Sequence, residues 1–292
     1  MATPDEDAAA VFDPLRPRLL RIAYRMLGQV ADAEDIVQEA FIRWLKVDRT
    51  QVAEPAAYLH RVVTRLCLDQ LKSARVRRET YVGPWLPEPV IEPEEEEEID
   101  DITLPLMMAL ERLSPLERAA FLLHDVFGVG FDEVAETIGR TPEAARQLAS
   151  RARENVRQKR PRFDLPKARG FEIVEAFHVA SRSGDVATLR NLLAADVEIH
   201  ADGGGKRPAT FRPIIGIDNA LKLYTRFGQL QAQRPSQVVA YHMINGLPGI
   251  ITREVDGLLQ TTALQIEDGK ITGVYVMRNP DKLHHIERAG LH

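Results

Sequence analysis

The stretch "WLPEPVIEPEEEEEIDD", Trp85–Asp101, most constrains this 292-residue chain. It carries nine acids, three prolines and no base, and basic segments flank it on both sides. So much charge and so many prolines leave too little apolar surface to form a core alone. The stretch therefore reads as a connector. Residues 12–83 hold 13 bases against 9 acids, and residues 102–167 hold 11 against 9. Eight of the latter bases fall between Arg140 and Arg162. Charge sorted by segment in this way marks domain edges and two candidate polyanion-binding modules.

Hydrophobic content of 45% is ordinary for globular domains, and the length suits two or three of them. No apolar run approaches the roughly 20 residues of a membrane span, and the acidic start "MATPDEDAAA" is unlike a signal peptide. A lone cysteine, Cys67, excludes an internal disulfide and a cysteine-based zinc site. A cytoplasmic protein without membrane association is expected, with no cofactor and no metal.

In "DAEDIVQEAFIRWL", Ile36, Val37, Ala40, Phe41, Trp44 and Leu45 recur at helical spacing, and Asp32 is placed to cap the helix. The opposite face presents Asp35, Gln38, Glu39 and Arg43. A second long helix, from about Pro55 to Arg77, buries Leu59, Val62, Val63, Leu66 and Leu71 and ends in bases. Past the connector, "FDEVAETIG" is a short amphipathic helix stopped by Gly139. Two residues later "TPEAARQLASRARENV" begins with Thr141 as cap and Pro142 at the first helical position. Short helix, glycine turn and capped basic helix make a helix-turn-helix.

The second helix of such a motif enters the major groove by its N-terminal end. Glu143, Arg146, Gln147 and Ser150 lie off the buried stripe there and are the candidate base readers. Arg151, Arg153 and Lys159 would meet phosphates.

The third block, residues 170–292, changes period. Two helices ("FEIVEAFHVASR", "DVATLRNLLAA"), a strand "VEIHAD", a "GGGK" turn and a helix near "IDNALKLYTRF" precede four strand-like runs. Asp256-Gly257 is a hairpin signal between two of them. Helices followed by a meander indicate a small α+β domain.

"DAEDIVQEAFIRW" followed by "EPAAYLHRVVTRLCLDQLKSARVRRE" resembles region 2 of bacterial extracytoplasmic-function (ECF) RNA polymerase sigma factors. "LERLSPLERAAFLLHDVFGVGFDEVAETIGRTPEAARQLASRAREN" resembles their region 4. "WLPEP", "DGGGK" and "NPDKL" are similar to motifs of the subfamily with a C-terminal SnoaL-like domain. The resemblance implies two all-α sigma domains followed by a cone-shaped α+β domain. These would span residues 8–83 (region 2), 84–101 (linker), 102–165 (region 4) and 170–292 (SnoaL-like). It implies an alternative sigma factor, not an enzyme, that binds core RNA polymerase and directs promoter-specific initiation.

By the same resemblance, Asp35, Gln38, Glu39 and Arg43 would dock on the polymerase β′ clamp helices, and region 4 would contact the polymerase near its flap. Tyr58, His60, Arg61, Arg65, Arg75 and Arg77 would face the melted −10 element, and the second basic helix the −35 element. The family often has Arg-Asn where this chain has Thr64-Arg65, so −10 preference does not transfer. The linker would thread the polymerase RNA channel. Trp85 and Pro87 of the linker, Asp202, Gly203, Gly204, Gly205 and Lys206, and Asn279, Pro280, Asp281, Lys282 and Leu283 would form an internal regulatory interface. No separate anti-sigma factor would then be required.

An alternative is a C-terminal domain that binds or converts a small molecule. Glu198, His200 and Asp202 alternate onto one strand face, and His242 lies on an apolar face that could line a pocket. No nucleophile motif or metal spacing accompanies them.

Overall fold

The computed structural model describes residues 4–79, 81–92, 103–156, 165–231 and 236–288. They fall into two compact units, residues 1–79 with 107–159, and 80–106 with 160–292. The two helical blocks lie in the first unit, and the described connector residues lie in the second.

The first unit is helical: α1 (Pro4–Phe12), α2 (Arg16–Leu27), α3 (Val30–Lys46), α4 (Pro55–Glu79), the end of α5 (Leu104–Leu110), α6 (Pro115–Phe121), α7 (Phe131–Ile138) and α8 (Pro142–Val156). α3 starts earlier than expected. Gln29 is its N-cap and Asp32 sits inside the first turn, where a carboxylate suits the helix dipole. α1 begins before the expected boundary at residue 8. Ala8 is fully buried, and its carbonyl accepts the Trp44 indole N–H at 3.1 Å.

A capping box of Ser114 and Glu117 opens α6. Gly139 ends α7 at φ 66°, and Thr141 Oγ1 accepts from the Ala144 N–H, so the helix-turn-helix is built by its predicted signals. Buried Arg118 holds the two helical blocks together. It donates to the Leu110 and Met26 carbonyls and pairs with Glu111 at 2.9 Å. Burial pushes its guanidinium down to about 10.

The second unit packs α9 (Lys167–Ser183), α10 (Val186–Leu192) and α11 (Ile217–Gln231) against a six-stranded sheet. Its strands are β1 (Leu193–Asp202), β2 (Ile214–Ile215), β3 (Gln237–Ile244), β4 (Leu247–Arg253), β5 (Leu259–Glu267) and β6 (Lys270–Met277), in the order β2-β1-β6-β5-β4-β3. β1 and β6 are parallel and every other pair is antiparallel. This is the α+β arrangement expected for the third block.

The "LLAA" expected to finish a helix instead starts β1, because Leu193 pairs with Ile271 and a register shift follows before Glu198. Asn245-Gly246 and Asp268-Gly269, all with positive φ, close two tight hairpins. β4 and β5 are buried along most of their length, because helices cover one face of the sheet and the connector covers the other.

Candidate functional site: two helical faces and a linker clamp

On α3, Asp35, Gln38 and Arg43 are exposed and Glu39 is half-buried, while Ile36, Val37, Ala40 and Trp44 are buried opposite them. Arg43 pairs with Glu39 at 2.8 Å. On α8, Ala145, Ala149, Ala152 and Val156 face the core. Glu143, Arg146, Gln147, Ser150 and Arg151 are exposed, and Arg146 lies 5.5 Å from the Phe131 ring. Arg153 is less available than expected, because it pairs with Asp125 at 2.6 Å. Lys159 lies outside the described residues, as do the side chains of Arg75 and Arg77.

Four candidates on α4 are placed differently from the expectation of an open nucleic-acid groove. Tyr58 is half-buried against Trp44, with ring centroids 5.8 Å apart. His60 is only 6% exposed. Burial, with Arg18 nearby, lowers its imidazole to about 4. A neutral, buried imidazole cannot stack on a base. Arg61 pairs with Glu136 at 3.1 Å, and Arg65 donates to the Glu136 and Thr137 carbonyls at the end of α7. Arg61 and Arg65, among the described side chains of α4, are therefore taken up by α7. The helical period placed these arginines on a polar face, but it carries no information about which element covers them.

In the second unit, residues Tyr81–Glu92 lie along the sheet face that points away from α9 and α11. Period two puts Glu198, His200 and Asp202 of β1 on that face. Asp202 is the centre of the contact and is fully buried. Its carboxylate accepts from the Tyr81 hydroxyl (2.6 Å), the Leu86 N–H (2.9 Å), the Gly204 N–H (3.0 Å) and the Lys282 ammonium (2.9 Å). Lys282 also donates to the Leu86 carbonyl at 2.6 Å and sits 4.2 Å from the Trp85 ring centroid. Asn279 donates to the Tyr81 hydroxyl at 2.8 Å. Burial, then the bond to Asp202, raises the Tyr81 phenol well above its ordinary value.

Each charge here has several partners, the condition under which a buried ion pair is tolerable. The "DGGGK" turn has a steric reason for two of its glycines. A Cβ at Gly204 would fall 2.3 Å from Asn279 Nδ2, and one at Gly203 would fall 2.2 Å from the Arg207 carbonyl oxygen. Lys206 and Asp281 pair on the surface. Pro280 opens a single 3₁₀ turn, Pro280–Lys282, and Leu283 is buried behind it.

Sequence reasoning missed a second anchor. The Asn245 side chain accepts from the Val90 N–H and donates to the Glu88 carbonyl, and the Gly246 N–H donates to Glu92. The Leu104 N–H donates to the Asn245 carbonyl at 2.9 Å, and His285 bonds the Pro89 carbonyl at 2.7 Å. The connector thus buries Leu86, Pro87, Glu88 and Pro89. The expectation that it could not bury itself holds only for an isolated strap. Here the sheet supplies the missing apolar surface. Residues 93–102, which hold most of the acids, lie outside the described residues.

A model of sigma-70 region 2 matches residues 11–77, and one of sigma-70 region 4 matches residues 103–156. The ECF RNA polymerase sigma factor SigJ of Mycobacterium tuberculosis is 40% identical over 93% of this chain and 91% of its own length. This chain belongs to the ECF family of RNA polymerase sigma factors. A probable ECF sigma factor of the same species, SigI, is 32% identical over 95% of both chains. The crystal structure of the M. tuberculosis SigJ superposes with a TM-score of 0.75 at 38% identity, covering 94% of this chain and 98% of that one. Sigma factors of this family bind core RNA polymerase and promoter DNA and direct promoter-specific initiation.

Glu198, His200 and Asp202 of this sigma factor face the connector. His200 bonds Glu198 at 3.0 Å and stacks on Tyr275, on the connector side of the sheet. A cavity of this domain lies on the helix side, lined by alternate residues such as Ile199 and Ala201. His242 does not line it. Strand periodicity separates the two sets. Among the described residues, no cluster of His, Cys, Asp or Glu could hold a metal ion, and no helix is long and apolar enough to cross a membrane.

Proposed function

We propose that this ECF sigma factor is regulated from within by its C-terminal domain, which fixes the path of the connector between regions 2 and 4. One observation carries the reading. The segment that must span two promoter elements is gripped by a buried Asp202–Lys282 pair and by Asn245, both in the C-terminal domain. The clamp acts within one chain, so its effective concentration is high and a modest interface is enough. A separate anti-sigma factor is not required.

In this reading Asp35, Gln38, Glu39 and Arg43 meet the β′ clamp helices, and region 4 meets polymerase near the flap. The N-terminal end of α8 reads the −35 element through Glu143, Arg146, Gln147 and Ser150, with Arg151 on phosphate. Arg61 and Arg65 leave α7 to meet the −10 strand. Tyr58 and His60 support the fold of α4 rather than stacking on bases.

The test is promoter-specific transcription with core polymerase and matched amounts of protein. Full-length chain is compared with chains stopped at Arg169 and before Asn279, and with Trp85→Ala. The two truncations should differ from each other in output, and Trp85→Ala should mimic one of them. Equal output from all four abandons internal regulation. In the same assay Arg146→Ala should weaken promoter binding by about 1–3 kcal/mol and relax one −35 position. Unchanged binding would move recognition elsewhere.

A further inference from the structure

The helix-side cavity of the C-terminal domain plays no part in the connector clamp, which occupies the opposite face of the sheet. Its volume is about 290 Å³, near the lower end for small-molecule pockets. Phe177, Ile199, Leu223, Tyr224, Ile250 and Val276 supply apolar walls. The cavity is partly open to solvent, so a ligand that fills it removes its apolar walls from water.

One end of the cavity is polar and cationic. Arg182, Gln260, Thr262, Thr210 and Arg278 lie there. Arg182 is neutralised by two hydrogen bonds to Glu254, at 2.6 and 3.1 Å. Arg207, just outside, is neutralised by Asp256 at 2.7 Å. Arg278 makes no ion pair among the described residues. Its Nη1 donates to a neutral carbonyl, that of Pro208, and its Nε is buried without an acceptor. The Thr210 hydroxyl is likewise buried and unpartnered. His178, lowered by burial and by Arg182, adds no charge at neutral pH. Three guanidinium groups thus face two carboxylates, which leaves one positive charge over at the wall of an apolar cavity.

Arg278 is only partly buried, but a cation at the wall of an apolar cavity is favoured once an opposite charge meets it. Guanidinium forks match a carboxylate by shape as well as charge. Aromatic rings on the cavity wall favour a flat apolar body.

We infer that this cavity is a binding site for a small aromatic or alicyclic monocarboxylate, its ring among Phe177, Tyr224 and Ile250 and its carboxylate on Arg278 and Thr210. Binding, not conversion, is the role. Among the described lining residues, the Ser181 hydroxyl donates to the His178 carbonyl rather than to its ring.

The experiment titrates the full-length protein with 2-naphthoate and with the neutral shape-mate 2-naphthalenemethanol, followed by calorimetry. The acid should bind at least tenfold more tightly than the alcohol. Arg278→Gln should bring the acid down to the level of the alcohol. Val276→Trp, which fills the cavity, should abolish both, with circular dichroism checking the fold. Ala201→Phe serves the same purpose should Val276→Trp not fold. Equal binding of acid and alcohol, acid binding that survives a filled cavity, or no binding of either probe overturns the site. None of these outcomes bears on the connector clamp, whose own test is transcription.

Discussion

Each unit contains an ionic contact that ties down a functionally placed segment, and the two contacts are built in opposite ways. In the helical unit, Arg61 of α4 meets Glu136 of α7, with side-chain exposures of 26% and 60%. In the sheet unit, Lys282 meets Asp202 with exposures of 4% and 0%. Opening the first exchanges one hydrated partner for another, at almost no free-energy cost. Opening the second strands a charge in a low-dielectric site. The difference assigns a division of labour. In the proposed reading Arg61 and Arg65 would be released to a phosphate backbone, whereas the connector segment Tyr81–Glu92 would stay with the C-terminal domain while that domain is folded. A transition between closed and engaged forms is then expected within the helical unit first.

The sharpest way to break this contrast is Asp202→Ala. It removes a carboxylate from Tyr81, Leu86, Gly204 and Lys282 together and leaves the Lys282 ammonium buried. The expected loss is about 3–5 kcal/mol in urea denaturation of the sheet unit. A loss below about 1 kcal/mol would mean that the clamp is hydrated and no firmer than the Arg61 contact.

Acid should act on the other side of the comparison. The His60 imidazole is about 4 in the fold and near its ordinary 6.5 when unfolded. Above 6.5 it is neutral in both states. As pH falls from 6.5 towards 4, only the unfolded chain takes up the proton, so stability is lost across that window and levels off below it. The helical unit should weaken by on the order of 2 kcal/mol. His60→Gln should flatten this slope. A slope that survives the substitution would place the titration on carboxylates instead.

Much of this was legible in the sequence, and the failures share a physical cause. Helix stops and starts were local: Gly139, Thr141 and Pro142 each act within one turn, and all appear where their chemistry requires. The alternation of Glu198, His200 and Asp202 onto one face was equally local. Which face that was, and what covers it, depends on pairing between residues more than a hundred positions apart, as between Asp202 and Tyr81. The composition of the acidic connector cannot reveal that a sheet lends it an apolar floor. Asn245 could have been found. "NG" between two strand-like runs is a hairpin signal, but nothing local says that the turn's side chain and carbonyl also hold another segment. The position of His60 was the hardest to foresee, because one polar face of α4 is split between solvent and the neighbouring helices.

A finer probe of the clamp is Tyr81→Phe, which deletes one hydroxyl from Asp202 and Asn279 and leaves the ring over Lys282. The remaining donors keep Asp202 satisfied, so the expected cost is only about 0.5–1.5 kcal/mol. Limited proteolysis after Tyr81 should rise modestly. A cost as large as that of Asp202→Ala would show that the phenol, rather than the ion pair, organises the connector.

The smallest effect is expected at Arg61 and Glu136, and it bears most directly on the proposed release of α4. A double-mutant cycle with Arg61→Ala and Glu136→Ala should give a coupling energy of about 0.2–1 kcal/mol, falling as salt is added. Glu136→Ala alone leaves Arg61 charged and half-exposed, so stability should hardly change. Promoter affinity at low salt should rise slightly, because one competitor for the guanidinium is gone. Arg65 is not covered by this cycle, since its acceptors are the Glu136 and Thr137 carbonyls and no side-chain deletion removes them. The helix end of α7 therefore keeps some hold on α4 in every single mutant. Arg65→Ala together with Glu136→Ala should loosen the contact fully. A coupling above about 2 kcal/mol, insensitive to salt, would make this contact as firm as the buried one and remove the asymmetry from which the order of opening is argued.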